Sequence, residues 1–290
     1  MDAFVILDKD SGVFSRTAGW RVAKMFNEKK FGHIGTLDPM ASGVLVIALG
    51  TATKMIPFVE NIQDNKKEYL FGLKFGIDTD SLDITGNIKQ TNNIIPSEND
   101  IVAACDKIKE RKEQVPPQFS AIHVDGQRAY KLARRGQDIK MKPRPVTIYE
   151  LEYTGKGREN EYNFRVVCSR GTYVRSIVRD IAELCGAIAT TTYIRRIATD
   201  GFDIKNAVKL DFLENLVNNG DRTEEYLMRP DCALGDIPVI NLDDKDTVLY
   251  KNGGFIKTGE SDGLYRVYSN KNFVGIGQIT HGLLKPKRTL

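Results

Sequence analysis

The residue whose surroundings best suit a chemical role is Asp38. It precedes Pro39, follows a loop carrying Gly32 and Gly35, and leads into the apolar run Val44 to Leu49. Glycine lets the backbone approach a ligand closely and adopt dihedrals that other residues avoid. Proline fixes its own φ and restricts the preceding residue to extended conformations. Together they present one carboxylate on a constrained loop beside a buried strand, as a nucleophile or a general base requires. The same Asp-Pro pair is also ordinary turn chemistry, in which the carboxylate caps its own backbone. His33, five residues earlier on the loop, reads either as an incidental exposed ring or as an imidazole able to stack on or wedge between bases.

A second candidate segment is Arg170-Gly171-Thr172-Tyr173-Val174-Arg175. An arginine beside a catalytic carboxylate orients it through charge-assisted hydrogen bonds. Tyr173 and Arg175 are two residues apart, so they converge only if the segment begins as a strand or turn. The plainer reading pairs Arg175 with a surface acid or with Asp180 of its own helix. Other enzyme classes leave no signature: the chain lacks G-x-x-x-x-G-K-[ST], G-x-G-x-x-G after a strand, H-E-x-x-H and G-x-S-x-G. Its three histidines, His33, His123 and His281, are far apart, so no His-rich metal site is expected. The four cysteines form no C-x-x-C pair and read as reduced, buried thiols.

The elements that must position these groups follow from periodicity. Phe4 to Leu7 reads as a strand, and Ser15 as the N-cap of a helix over residues 16–28. Tyr69, Phe71, Leu73 and Phe75 alternate as in a half-buried strand. Asp78 to Asn87, rich in Asp, Thr, Ser and Gly, reads as an exposed loop. Ser97 with Asp100 makes a capping box for a helix that ends before Pro116-Pro117. Asp125-Gly126 reads as a turn after a strand at Phe119 to Val124, with a short basic helix at Gln127 to Arg135. Val146 to Tyr153 and Tyr162 to Cys168 read as paired strands, Thr172 to Cys185 as a helix, Thr190 to Ile197 as a strand and Ala207 to Val217 as a helix. Strands and helices mix without strict β-α alternation. The expectation is an α+β fold on a mostly antiparallel mixed sheet flanked by helices. Short Gly-punctuated strands after Pro238 predict a small C-terminal β module, giving domains at 1–232 and 233–290.

At 290 residues the chain suits about two domains. No apolar run approaches the roughly 18 residues of a membrane span, and the N-terminus has no signal-peptide pattern, so a cytoplasmic protein is expected. Net charge is only +4, but residues 101–145 carry eleven Lys or Arg against five Asp or Glu. Such a stretch is either an electrostatic footprint for phosphate or a solvated helix face.

One resemblance narrows these choices. Gly32-His33-Ile34-Gly35-Thr36-Leu37-Asp38-Pro39-Met40-Ala41-Ser42-Gly43-Val44-Leu45 resembles the G-H-x-G-[TA]-L-D-P-x-A-[ST]-G-V-L signature of TruB-type tRNA pseudouridine synthases. Lys67-Glu68-Tyr69, Gln114-Val115-Pro116-Pro117-Gln118-Phe119-Ser120-Ala121, Cys168 to Arg175 and Tyr193-Ile194-Arg195-Arg196 resemble further blocks of that family, in the same order. Gly275-Ile276-Gly277 and Leu284-Lys285-Pro286 resemble a short PUA-like RNA-binding module. The resemblance implies the pseudouridine-synthase fold and an isomerase that converts a uridine in the T-loop of tRNA, position 55, to pseudouridine. It implies Asp38 as the catalytic residue and Arg175 as its partner. Tyr69 would stack on the target base, Tyr173 and Ile194 would line the pocket, and His33 would fill the space the flipped base leaves. The basic stretch resembles a mobile segment that grips the T-arm. Near the start the family usually reads D-K-P-x-G-x-T-S. Here Asp10 and Phe14 stand in place of the proline and threonine.

Pseudouridine forms when the uracil–sugar C–N bond breaks, the base turns, and a bond forms from C5. No redox change occurs, so neither cofactor nor metal is expected. Attack by Asp38 on C1′, attack on the base and deprotonation of the sugar all remain open. Extruding the base costs a few kcal/mol, against roughly 1–3 kcal/mol from stacking on an aromatic. Three other readings compete: a non-catalytic RNA-binding or RNA-folding protein, a nucleoside or glycoside hydrolase, and a guide-RNA-dependent relative. A pure binder needs no carboxylate, and a hydrolase usually needs two paired acids, for which no second acid has an equally constrained context. The long basic segment and short C-terminal module favour a stand-alone enzyme, expected to be a monomer needing no guide RNA.

Overall fold

The computed structural model describes residues 1–62, 66–124, 126–137, 139–157 and 160–290. The chain folds as two compact units. The first comprises Met1–Asp38, Val44–Gln63 and Asp200–Leu290; the second comprises Pro39–Gly43 and Asp64–Thr199.

The second unit is built on four antiparallel strands in the order Ile148–Lys156, Glu161–Ser169, Lys66–Phe75, Ala189–Thr199. The alternation at Tyr69, Phe71, Leu73 and Phe75 does what its period predicts, burying all four. Phe71 stacks on Phe164 of the neighbouring strand, with centroids 5.2 Å apart. The next ladder is parallel, Arg195 and Arg196 pairing with Ser42 and Gly43, so the sheet is mixed. Gly43 has φ +100°, and a Cβ there would lie 2.1 Å from the Arg196 carbonyl oxygen. Only glycine allows that approach.

Two helices accompany these strands. Glu98–Lys109 opens on the capping box expected at Ser97 and Asp100. It stops well short of Pro116-Pro117, at Glu110. Val174–Leu184 buries Val174, Ile177, Val178 and Ile181 on its apolar side. The basic stretch leaves and re-enters at one place, where Glu113–Gln114 pairs with Arg144–Pro145. Inside it the strand expected from Phe119 shrinks to His123–Val124, paired with Gln127–Arg128, and the basic helix to Ala129–Ala133. Gly126 has the positive φ of the expected turn, +79°, while Asp125 lies outside the described residues.

In the first unit the strand Ala3–Lys9 is buried along its whole length and pairs in parallel with Val208–Lys209. Phe31–Ile34 runs antiparallel to Ser42–Leu49. The flanking helices are Ser15–Met25 and Leu210–Asn219. Residues from Val239 onward form a five-stranded sheet in the order Val239–Leu242, Gly263–Ser269, Asn272–Thr280, Leu283–Thr289, Ile256–Lys257. It has its own core around Tyr250, Tyr265, Val267, Ile279 and Leu284. Ile276 of the same sheet instead joins the cluster of Phe4, Ile34, Val44 and Val46.

Two local expectations need correction. Ser15 is not the cap of the first helix: Phe14 is, without a side-chain cap bond, and Ser15 is the first helical residue. Cys105 and Cys168 are buried thiols as expected, but Cys232 is exposed. Among the described residues no helix is long and apolar enough to cross a membrane.

Candidate active site

Asp38 is half-buried in irregular backbone between Phe31–Ile34 and Ser42–Leu49. The loop is fixed from within and from outside. His33 Nε2 and Thr36 Oγ1 are 2.9 Å apart, so the ring ties back to its own loop. Ser15 Oγ donates to the Leu37 carbonyl at 2.8 Å and accepts from the Leu37 N–H at 3.0 Å. One buried hydroxyl therefore satisfies both polar groups of the residue immediately before Asp38. Those groups would otherwise be costly inside the protein.

The remaining residues singled out in the sequence belong to the second unit. Tyr69 pairs across the sheet with Arg196, and Phe71 with Ile194. Residues opposite one another share a face, and so do residues two apart along a strand. Tyr69 and Ile194 are therefore diagonal neighbours on one face, at 8% and 5% exposure. They set an apolar wall and an aromatic ring side by side.

Tyr173 and Arg175 sit at the start of Val174–Leu184, Tyr173 as the extended N-cap residue and Arg175 as the second helical one. The Tyr173 backbone is clamped at two points. Its N–H donates to Gln114 Oε1 at 2.8 Å, and its carbonyl accepts from Gln114 Nε2 at 3.2 Å. The Arg175 side chain is 4% exposed. It donates to the Ser81 carbonyl at 2.8 Å and the Phe119 carbonyl at 2.9 Å, and lies 3.5 Å from Asp83 Oδ2. The same helix grips Val115, whose carbonyl accepts from Ser176 Oγ at 2.9 Å and from Arg179 at 3.1 Å.

This corrects two expectations. Asp78 to Asn87 is not simply an exposed loop, because Ser81 and Asp83 are buried. Asp180 is not the partner of Arg175: it pairs with Arg111 at 2.9 Å and Arg179 at 2.7 Å. Asp83 and Gln114 are the residues that reading the sequence missed as parts of the site. Gln114 was visible as the first letter of the Q-x-P-P block; nothing local marked Asp83 among its polar neighbours.

The carbonyls of Val115 and Phe119 lie just past the ladder of Glu113–Gln114 with Arg144–Pro145, so helix Val174–Leu184 holds the root of the excursion that carries most of the excess cations. Among the described residues no group of three or more His, Cys, Asp or Glu could hold a metal ion. The first unit offers a half-buried carboxylate at Asp38, and the second a buried guanidinium at Arg175 with an aromatic-apolar sheet face at Tyr69 and Ile194.

Comparison with known proteins identifies the family. Residues 23–174 match the family model described as TruB family pseudouridylate synthase, N-terminal domain, and residues 238–290 match Pseudouridine synthase II TruB, C-terminal. The C-terminal sheet is thus the PUA-like module the sequence led one to expect. The chain is 38% identical over 300 residues to tRNA pseudouridine synthase B of Ehrlichia ruminantium, covering 99% of each protein. It is 33% identical over 301 residues to the Escherichia coli K12 protein of the same name, covering 99% of this chain and 95% of that one. Its fold resembles a chain of a Cbf5-Nop10-Gar1 complex, with a TM-score of 0.72 at 21% identity, covering 99% of this chain and 84% of that one. With signature, fold and full-length similarity in agreement, the chain belongs to the TruB family of pseudouridylate synthases, which are isomerases.

Proposed function

We propose that the chain converts uridine 55 in the T-loop of tRNA to pseudouridine, with Asp38 as the catalytic residue. The observation that carries this reading is the Gly32–Leu45 signature, whose Asp38 is half-buried in a loop anchored by Ser15. The two relatives named above are both called tRNA pseudouridine synthase B, which supports tRNA as the substrate. The T-arm is recognised by the basic segment of residues 101–145, whose excess of cations matches a phosphate backbone. The uridine leaves its stack and lies on Tyr69, with Ile194 and Tyr173 as pocket walls, while His33 takes the vacated space. Stacking returns roughly 1–3 kcal/mol of the few that flipping costs.

In this reading Arg175 pairs with Asp38 in the substrate complex, and Asp83 with Ser81 sets the direction from which the guanidinium approaches. Asp38 acts on the nucleotide to break the C–N bond, the base turns, and C5 is joined to C1′; the C5 proton is released to solvent and N1 takes one up, so the product is an isomer. The enzyme works in the cytoplasm as a monomer, without guide RNA. Tritium release from T-arm RNA labelled as [5-³H]uridine tests the whole reading. Wild type releases tritium, while Asp38→Ala releases none and still binds the RNA. Release by Asp38→Ala at the wild-type rate overturns the role of Asp38. Free uracil among the products overturns isomerisation in favour of hydrolysis.

A further inference from the structure

The turn after the first strand does more than lead into a helix. Lys9 is 1% exposed, and its ammonium donates to the carbonyls of Asp10 and Val13, both at 2.8 Å. Where the family pattern has proline this chain has Asp10, whose carboxylate meets Lys209 Nζ at 2.5 Å. Lys209 also lies 3.1 Å from Asp8 Oδ2. One cation thus holds the backbone of the turn and a second its carboxylates, in a chain that lacks the ring to stiffen it. What the turn delivers is Ser15. Its hydroxyl is not used as a helix cap, although serine is a preferred capping residue and this helix end has no side-chain cap. It is used on Leu37 instead, as donor and acceptor at once, at 4% exposure.

We infer that Ser15 is a positioning residue for Asp38: it fixes the peptide plane ahead of the carboxylate and so the direction from which the carboxylate meets its substrate. The inference rests on the proposed role of Asp38. The geometry has a specific energetic logic. Leu37 is buried at 5% exposure, so the loop cannot exchange the hydroxyl for bulk water at little cost. The N–H of the Thr36–Leu37 peptide and the C=O of the Leu37–Asp38 peptide are held on the same hydroxyl, so neither plane swings freely and the backbone that delivers Asp38 is set. Ground-state RNA binding depends on phosphates and stacking elsewhere, so it does not register this constraint. The chemical step does, because a displacement of about 1 Å at a reacting group costs on the order of a hundredfold in rate.

The test is single-turnover and steady-state kinetics on T-arm RNA with Ser15→Ala, Ser15→Thr, Ser15→Cys and, as reference, Asp38→Ala. Expected is a fall in kcat of roughly ten- to a hundredfold for Ser15→Ala, with KM within about twofold, and recovery of most of the loss in Ser15→Thr, which keeps the hydroxyl. Ser15→Cys has nearly the same shape but a weaker donor and acceptor. It guards against an alanine variant that fails to fold, and must itself show lowered kcat at unchanged KM. Wild-type kcat in Ser15→Ala or in Ser15→Cys, with Asp38→Ala inactive, overturns the positioning role and leaves the proposed function standing. A loss confined to KM does the same. Activity in Asp38→Ala overturns the proposed function itself.

Discussion

The loop that carries Asp38 and the helix start that carries Arg175 solve opposite problems. Asp38 is half-buried on irregular backbone. Arg175 is 4% exposed, and its guanidinium reaches two carbonyls and a carboxylate. In the proposed reaction the acid meets a substrate that comes and goes, and the backbone just before it is tied down by Ser15. The cation serves by direction, so burying it among fixed acceptors is no handicap, provided every donor finds a partner. Catalytic loops and their supports thus divide precision and access between them, and the division is visible in burial alone.

If this contrast is sound, replacing each side should fail differently. The largest effect on rate is expected at the acid. Asp38→Ala loses about 10⁴-fold or more in turnover, with a melting temperature within experimental scatter of wild type by calorimetry. A large loss of stability would mean that the loop, too, is structural. Arg175→Ala should damage both: about 3–5 kcal/mol of stability, because Asp83 is left buried without its cation, together with most of the activity. Urea denaturation resolves the two losses, and wild-type stability in this variant would dissolve the comparison. Gln114→Ala is expected to cost less, about 1–3 kcal/mol for the two Tyr173 backbone bonds it abandons.

The smallest effect concerns alkali. Burial pushes the Cys168 thiol, at the head of the segment that leads to Arg175, up to about 12 from an unfolded value of 9.0. A group whose folded pKa is raised contributes stability that is complete below the unfolded pKa and is lost as pH rises toward the folded one. Melting temperature should therefore fall as pH climbs above about 9, and fall less steeply in Cys168→Ala. Parallel slopes for the two proteins would remove Cys168 from the account.

What the sequence disclosed was uneven for physical reasons. Period-2 alternation around Tyr69 and the capping box at Ser97 are local signals, and both appear in the structure. The Asp38 loop was legible because glycine, proline and a following apolar run all constrain the same few residues. Ser15 misled, since a serine at a helix start carries the same local signature whether its hydroxyl caps the helix or bonds a distant peptide such as Leu37. Asp83 could not be read at all. Its importance comes from an ion pair with a residue 92 positions further along the chain, and nothing in a polar turn announces such a partner.

The pairing of Glu113–Gln114 with Arg144–Pro145 has a further consequence. The part of the basic stretch between these two strands departs and returns through one short ladder of its own, apart from the large sheet. Doubling the length of such an excursion costs only about 0.6 kcal/mol in closure entropy. Its length and content can therefore change at little cost to the fold, provided the bonds at its root, from Ser176 and Arg179 to Val115 and from Arg175 to Phe119, are kept.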